Sequence, residues 1–379
     1  MSSRYPGAWV TDGGFNPLTA PTPSYTYGLW SWGQNNLGQL GLGNTTNYSS
    51  PTQVGNLTTW KTISTALQTL GVKTDGTLWA WGDNSYGQLG LGNTTNRSSP
   101  NQVGSLTNWS TAVANGYYAS FAIKTDGTLW SWGIGTSGQL GLSNTYNYSS
   151  PKQVGALTNW AYVSGGVFNT FGIKTDGTLW AWGYSQGDYG QSGTGTAAFS
   201  VSSPVQVGAL TNWLQISSAQ YNTAAVKTDG TLWTWGKNNY GQLGLGDTTN
   251  RSSPNQVGSL TNWLQVSCIY NSILVVKTDG TLWGFGKNNT GQLGLGNTTN
   301  YSSPKQVGVL TNWASVSTGY EGGTVAIKTT GSLWSWGTNA AGQLGQGNTT
   351  NLSSPQQIGS LLSWSNISTV RNSVLALQF

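Results

Sequence analysis

The ten carboxylates of this 379-residue chain are its first candidates for chemistry. Asp75, Asp126, Asp176, Asp229 and Asp279 each stand in a Lys-Thr-Asp-Gly run, which marks them as hairpin-turn residues. That leaves Asp12, Asp83, Asp188, Asp247 and Glu321, the last four falling in different copies of a repeat. No pair is spaced for general acid and base work. Histidine is absent, so a Ser or Cys nucleophile would lack its usual base and a metal its commonest ligand. Neither enzyme chemistry, a metal nor a cofactor is expected. The lone cysteine, Cys268, fills a slot held by Ser218 and Gly165 in other copies; it reads as a small buried residue and excludes an internal disulfide.

A lysine recurs beside each turn: Lys73, Lys124, Lys174, Lys227, Lys277 and Lys328. The plain expectation is a solvated strand end, and the sharper one is a cationic ring that gathers an anionic glycan. Binding chemistry is better sought where the copies disagree. Tyr48, Arg97, Tyr148, Arg251 and Tyr301 follow the Asn-Thr-Thr-Asn tract or its variant, and Tyr184, Tyr189 and Tyr240 stand in loops after Trp-x-Trp-Gly. One copy breaks the pattern outright between Tyr184 and Val201 and brings in Asp188; Glu321, in Gly-Tyr-Glu-Gly-Gly, marks a second irregular place. Tyr and Arg on rigid loops make contact surfaces, because Tyr supplies area at low entropy cost.

These residues are placed by a repeat. Leu-Trp-x-Trp-Gly occurs at Leu29, Leu78, Leu129, Leu179, Leu232, Leu282 (with Phe285 as its second aromatic) and Leu333, in steps of 49 to 53 residues. That period belongs to propeller blades or solenoids. Phe121 to Thr125 and Thr128 to Trp132 are β-rich runs joined by Asp126-Gly127, a dipeptide that suits the positive φ angles of a type I′ hairpin turn. Alternation puts Trp130 and Trp132 on one sheet face and Leu129 and Ser131 on the other, so large residues of one blade meet small ones of the next. Pro100 to Val103 and Trp109 to Val113 read as further strands. Four strands per repeat without helical periodicity predict an all-β, seven-bladed β-propeller with four-stranded antiparallel blades. The first copy lacks the strand that precedes Lys-Thr-Asp-Gly elsewhere, and Ser373 to Leu377 supplies one with nothing after it. Pairing the two ends would close the ring and remove its open edges.

Composition narrows the partners. Charged residues are 7% of the chain and the net charge is +5, with no Lys/Arg run to track phosphates, so nucleic acid is not expected. No stretch is apolar enough to insert in a membrane, and the start has no signal-peptide pattern. Residues 1 to 25, rich in Pro and Gly, read as an extended arm with Tyr5, Trp9 and Phe15 as anchors, leaving 26 to 379 for the propeller.

The run Asp75-Gly76-Thr77-Leu78-Trp79-Ala80-Trp81-Gly82, continued by Asn84 and Gly87-Gln88-Leu89-Gly90-Leu91-Gly92, resembles the repeat of the regulator of chromosome condensation family, over roughly residues 28 to 379. Members often carry His before the strand leading to Asp-Gly, where this chain has Gln68, Ala119, Asn169 and Asn222. Its uniform copies are similar to propellers encoded by bacteria and bacteriophages. Together with the low charge, the resemblance implies a non-enzymatic virion surface protein, a decoration or fibre propeller joined to other virion proteins through the arm and presenting loops to a host-surface protein or glycan. A secreted bacterial propeller in an extracellular setting, binding protein or glycan, is the second expectation. An exchange-factor-like regulator of a small GTPase, implied by the family alone, is the third. Light sensing by a Trp cluster, as in plant ultraviolet receptors of the family, is not expected, since the repeat tryptophans have no neighbouring Arg.

Overall fold

The computed structural model describes residues 27–115, 118–185, 189–196 and 199–379. The arm at 1 to 25, with Tyr5, Trp9 and Phe15, lies outside them, as does Asp188. The described residues form strands β1 to β28 in chain order, paired as seven four-stranded antiparallel sheets. Blade I is β3 (Trp60–Thr65), β4 (Gln68–Lys73), β5 (Leu78–Gly82) and β6 (Arg97–Gln102). Blades II to VI repeat it with β7 to β26, and their first strands begin at Trp109, Trp160, Trp213, Trp263 and Trp313. Each first strand touches the first strand of the next blade around the whole circle, which makes these the inner wall of a closed ring.

Blade VII closes the ring from both ends. The C-terminal β27 (Trp364–Val370) and β28 (Ser373–Gln378) pair with β1 (Gly28–Gly33) and β2 (Tyr48–Gln53), and Leu29 lies opposite Leu377. No open edge is left between the ends of the strand order, as the matching deficits at the termini predict.

Alternation is what builds the core. Leu70, Val72, Leu78 and Ala80 of blade I pack against Trp109, Ala112, Ala122 and Trp132 of blade II, while Leu129 points the other way into a cluster with Trp160 and Trp182 of blade III. Both faces of every sheet are therefore covered, and second strands such as β8 (Ala119–Lys124) are buried throughout. The second Trp of the repeat is the link between blades. Trp132 donates its indole N–H to the Gln88 carbonyl of the blade before, 2.8 Å away. Its ring lies where a side chain at Gly90 would go, since a Cβ there would sit 2.9 Å from Trp132 Nε1. Inner strands, which share no backbone ladder, are stitched by side chains: Gln265 donates to the Val316 carbonyl and accepts from its N–H, at 3.0 and 3.1 Å.

The hairpin turn differs from the type I′ expectation. At Lys124–Thr128 only Gly127 has positive φ, +77°, and its N–H bonds back to Lys124 O at 3.0 Å. Asp126 stays in the ordinary region because its carboxylate is bound forward, accepting from the Thr128 N–H at 2.9 Å and the Thr128 hydroxyl at 2.7 Å. This is a turn with Gly in the bulge position rather than a mirror-image turn.

Candidate binding face at the ring axis

The two ends of the ring carry different chemistry. One end holds the Asp-Gly turns and an exposed leucine from each blade, Leu57, Leu106 and Leu157 among them. The other end holds the turns joining first to second strands, close to the axis, and the long loops joining third to fourth strands, further out.

Aromatic side chains gather at this second end. Tyr189 of blade III meets Tyr221 of blade IV with ring centroids 5.3 Å apart, Tyr221 meets Tyr270 of blade V at 5.3 Å, and Tyr270 meets Tyr320 of blade VI at 4.8 Å. All four are half-buried, so each leaves part of its side chain accessible. Gln220 donates to the Tyr221 hydroxyl at 2.8 Å and accepts from the Tyr320 hydroxyl. That bridge joins blades two apart, which places this crescent beside the axis. Two cations border it, and a third, Lys287, stands near Lys237 over Tyr240. Lys237 Nζ lies 4.7 Å from the Tyr221 ring and 5.1 Å from that of Tyr189, Lys287 lies 5.4 Å from Tyr240, and the Arg371 guanidinium lies 6.0 Å from Tyr320. Burial, and then the charge of Lys287, hold the Lys237 ammonium below the usual lysine range. On the opposite side of the ring Tyr86 and Tyr118 form a smaller pair at 4.9 Å. The arrangement offers hydroxyls, aromatic edges and positive charge; among the described residues, no group of three or more His, Cys, Asp or Glu gathers to hold a metal.

The recurring lysines are not solvated, and they form no open cationic ring. Lys73 is 6% exposed, with Nζ 3.6 Å from the Trp79 ring and 5.1 Å from that of Trp60. The same slot encloses Lys124, Lys174, Lys227, Lys277 and Lys328. The cause is register, which sets Trp60 of the first strand directly opposite Lys73 of the second. A cation–π contact replaces the water that a strand-end lysine would otherwise keep.

Sequence comparison bears on what this face belongs to. The RCC1-like domain matches residues 111–376, and the regulator of chromosome condensation (RCC1) repeat matches residues 28–66 and 75–123. The chain belongs to the RCC1-like domain family. The Arabidopsis thaliana Ultraviolet-B receptor UVR8 is 31% identical over 139 residues, covering 36% of this chain and 31% of its own length. The human E3 ubiquitin-protein ligase HERC2 is 28% identical over 139 residues, 36% of this chain and 3% of its own. The chain thus spans less than a third of the length of these relatives. Among solved structures, Prp20p from Saccharomyces cerevisiae superimposes with a TM-score of 0.82 at 18% identity, covering 94% of this chain and 92% of that one; human WBSCR16 gives 0.81 at 20%, covering 93% and 98%. Both are likenesses of fold.

Within this RCC1-like propeller the residues singled out from sequence fall into two groups. Tyr189 joins the crescent, Tyr240 stands over Lys287, and Tyr184 and Glu321 are exposed on the same end. Tyr48, Tyr148 and Tyr301 are instead half-buried at the start of fourth strands, where their hydroxyls accept from Asn44, Asn144 and Asn297 at 3.1 to 3.2 Å. Arg97 and Arg251 donate to carbonyls of their own loops, and Arg251 also pairs with Asp247 at 2.6 Å. Sequence reasoning missed the inner-turn aromatics Tyr118, Phe168, Tyr221 and Tyr270, and it gave Tyr320 no role. Their signal was an aromatic recurring at 49 to 53 residues just before the second strand.

Proposed function

We propose that this chain is a non-enzymatic protein-binding propeller whose contact face is the end of the ring that carries the tyrosine crescent. The observation behind the reading is the continuous run Tyr189–Tyr221–Tyr270–Tyr320 with Lys237 and Arg371 at its border. Tyr and Arg in rigid, partly buried settings are the residue types that anchor protein interfaces. The cations suit a partner that presents carboxylates.

Relatives favour a regulatory partner over a virion one. The structure of Prp20p was described together with its binding to Gsp1p and histones, and yeast RCC1 (Prp20) was solved bound to Kap60. Exchange-factor-like regulation of a small GTPase is therefore the form of protein binding that the family supports best. A virion surface or secreted setting rests on composition, on the likeness of the uniform copies to bacterial and phage propellers and, for the virion, on the arm outside the described residues, and none of the relatives named above carries it.

A photo-crosslinking residue placed at Tyr270, and at Leu260 on the opposite end as a control, tests the face. Crosslinked protein from Tyr270 alone is the expected result, weakened about tenfold by Tyr320→Ala; equal capture at both ends would discard the assignment. Nucleotide release from a GDP-loaded small GTPase separates the regulatory form from simple binding.

A further inference from the structure

Blade III departs from the other six. Its outer hairpin, β13 (Leu179–Ser185) and β14 (Phe199–Gln206), continues past the usual end of the ladder at Gly183↔Val201 by two more pairs, Tyr184↔Ser200 and Ser185↔Phe199. In blade II the same ladder stops at Gly133↔Tyr148. The two extra pairs carry Tyr184 out to 40% exposure, and Phe168 stands edge-on to it at 6.5 Å and 71°.

Facing this hairpin is the long loop of blade II. Between them Thr136, Ser137, Thr145, Tyr184, Ser200 and Ser202 line an open cleft of about 370 Å³, and none of its described lining residues bears a charge. Ser143 pins its two sides together. It stands where other copies have glycine, at φ +62°, with its N–H on the Ser202 carbonyl at 2.7 Å and its hydroxyl 3.0 Å from that of Ser203. The N–H bond recurs at the other junctions, as from Gly92 to the Ser149 carbonyl, so what is particular to this one is the Ser143 hydroxyl and the extended hairpin that carries Tyr184.

We propose that this cleft binds a neutral saccharide unit. A sugar ring has one face of C–H groups and a rim of hydroxyls, which matches an exposed Tyr ring beside a set of Ser and Thr hydroxyls. None of the described lining residues offers an anionic group a counter-ion, so acidic sugars are disfavoured. The volume lies at the small end of ligand sites and suits a mono- or disaccharide. The site lies apart from the tyrosine crescent and does not depend on its role.

The test is an array of neutral and acidic glycans probed with the full chain, with saturation-transfer NMR against methyl glycosides of glucose, galactose, mannose and N-acetylglucosamine. The array reads sugars held on a surface, and the NMR arm reads free ones. Binding of neutral glycans is expected, reduced about tenfold or more by Tyr184→Ala, a few-fold by Tyr184→Phe, and unchanged by Tyr240→Ala, an exposed Tyr on the same end. Failure to bind any neutral sugar in either arm, preference for acidic sugars, or full binding by Tyr184→Ala would each overturn the proposal.

Discussion

Trp32 donates its indole N–H to the backbone carbonyl of Gln343, 3.0 Å away and 311 positions later in the chain. Five more copies of this bond join Trp81, Trp132, Trp182, Trp235 and Trp336 to the blade before each of them. The seam where the termini meet is thus locked by the same contact as the interior junctions.

Replacing Trp32 with Phe should remove the bond together with part of a buried ring, at a cost of about 1 kcal/mol for the bond and more for the space left. The converse exists naturally at Phe285, which packs on Gly244 as the tryptophans pack on their glycines but has no N–H to give. Phe285→Trp should recover a gain of similar size. Denaturant midpoints measure both, and a neutral Trp32→Phe would remove the bond from the account of closure.

The buried lysines give a pH dependence of definite sign. Burial pushes Lys174 below the ordinary 10.5, against the opposing pull of Asp176. Between the lowered folded value and 10.5 the unfolded chain holds more protons, so stability rises with pH across that window. Lys174→Met should remove its share of the slope, measured as unfolding midpoints from pH 8 to 10.5 against wild type. Identical slopes would show that the indole slot offsets the loss of hydration completely.

How far the sequence reaches is visible in these same residues. Leu129 to Gly133 reports its own strand, its alternation and its buried faces, because those depend only on period. The turn at Lys124–Thr128 was legible as a hairpin but not as to its type, which depends on the bond from the Asp126 carboxylate to Thr128. The lysine slots needed the pairing of Trp60 with Lys73, a register across a turn that period alone does not fix. The crescent needed more still. Gln220 and Tyr320 are 100 positions apart and meet only because inner turns crowd toward the axis of a closed ring.

Acid should weaken the ring through its turns. The Thr128 hydroxyl and N–H hold the Asp126 carboxyl below the ordinary 3.8, and Asp75, Asp176 and Asp229 are held likewise by Thr77, Thr178 and Thr231. The stabilisation is present above 3.8 and is lost as pH falls through the lower folded values. Blade VI has Thr330 in this place, its hydroxyl 3.0 Å from that of Ser332. Thr330→Asp should therefore raise the melting temperature at pH 7 and lose that gain near pH 2. A gain that persists in acid would mean the carboxylate is not its source.

Gln220 is the side chain that ties the crescent together, bonding Tyr221 and Tyr320 across two blades. It lies in a surface turn, and Trp235, Trp336 and the other inter-blade locks do not involve it. Gln220→Ala should therefore leave the global unfolding midpoint within about 1 kcal/mol of wild type. Locally it should loosen Tyr221, Tyr270 and Tyr320, seen as faster ring flipping by NMR and a weaker near-ultraviolet circular dichroism signal. Partner binding at this face should fall with it, because an interface anchor that must be re-ordered loses affinity by the cost of ordering. If the tyrosines remain as rigid as before, ring packing alone holds the crescent, and the bridge across the axis is incidental to binding.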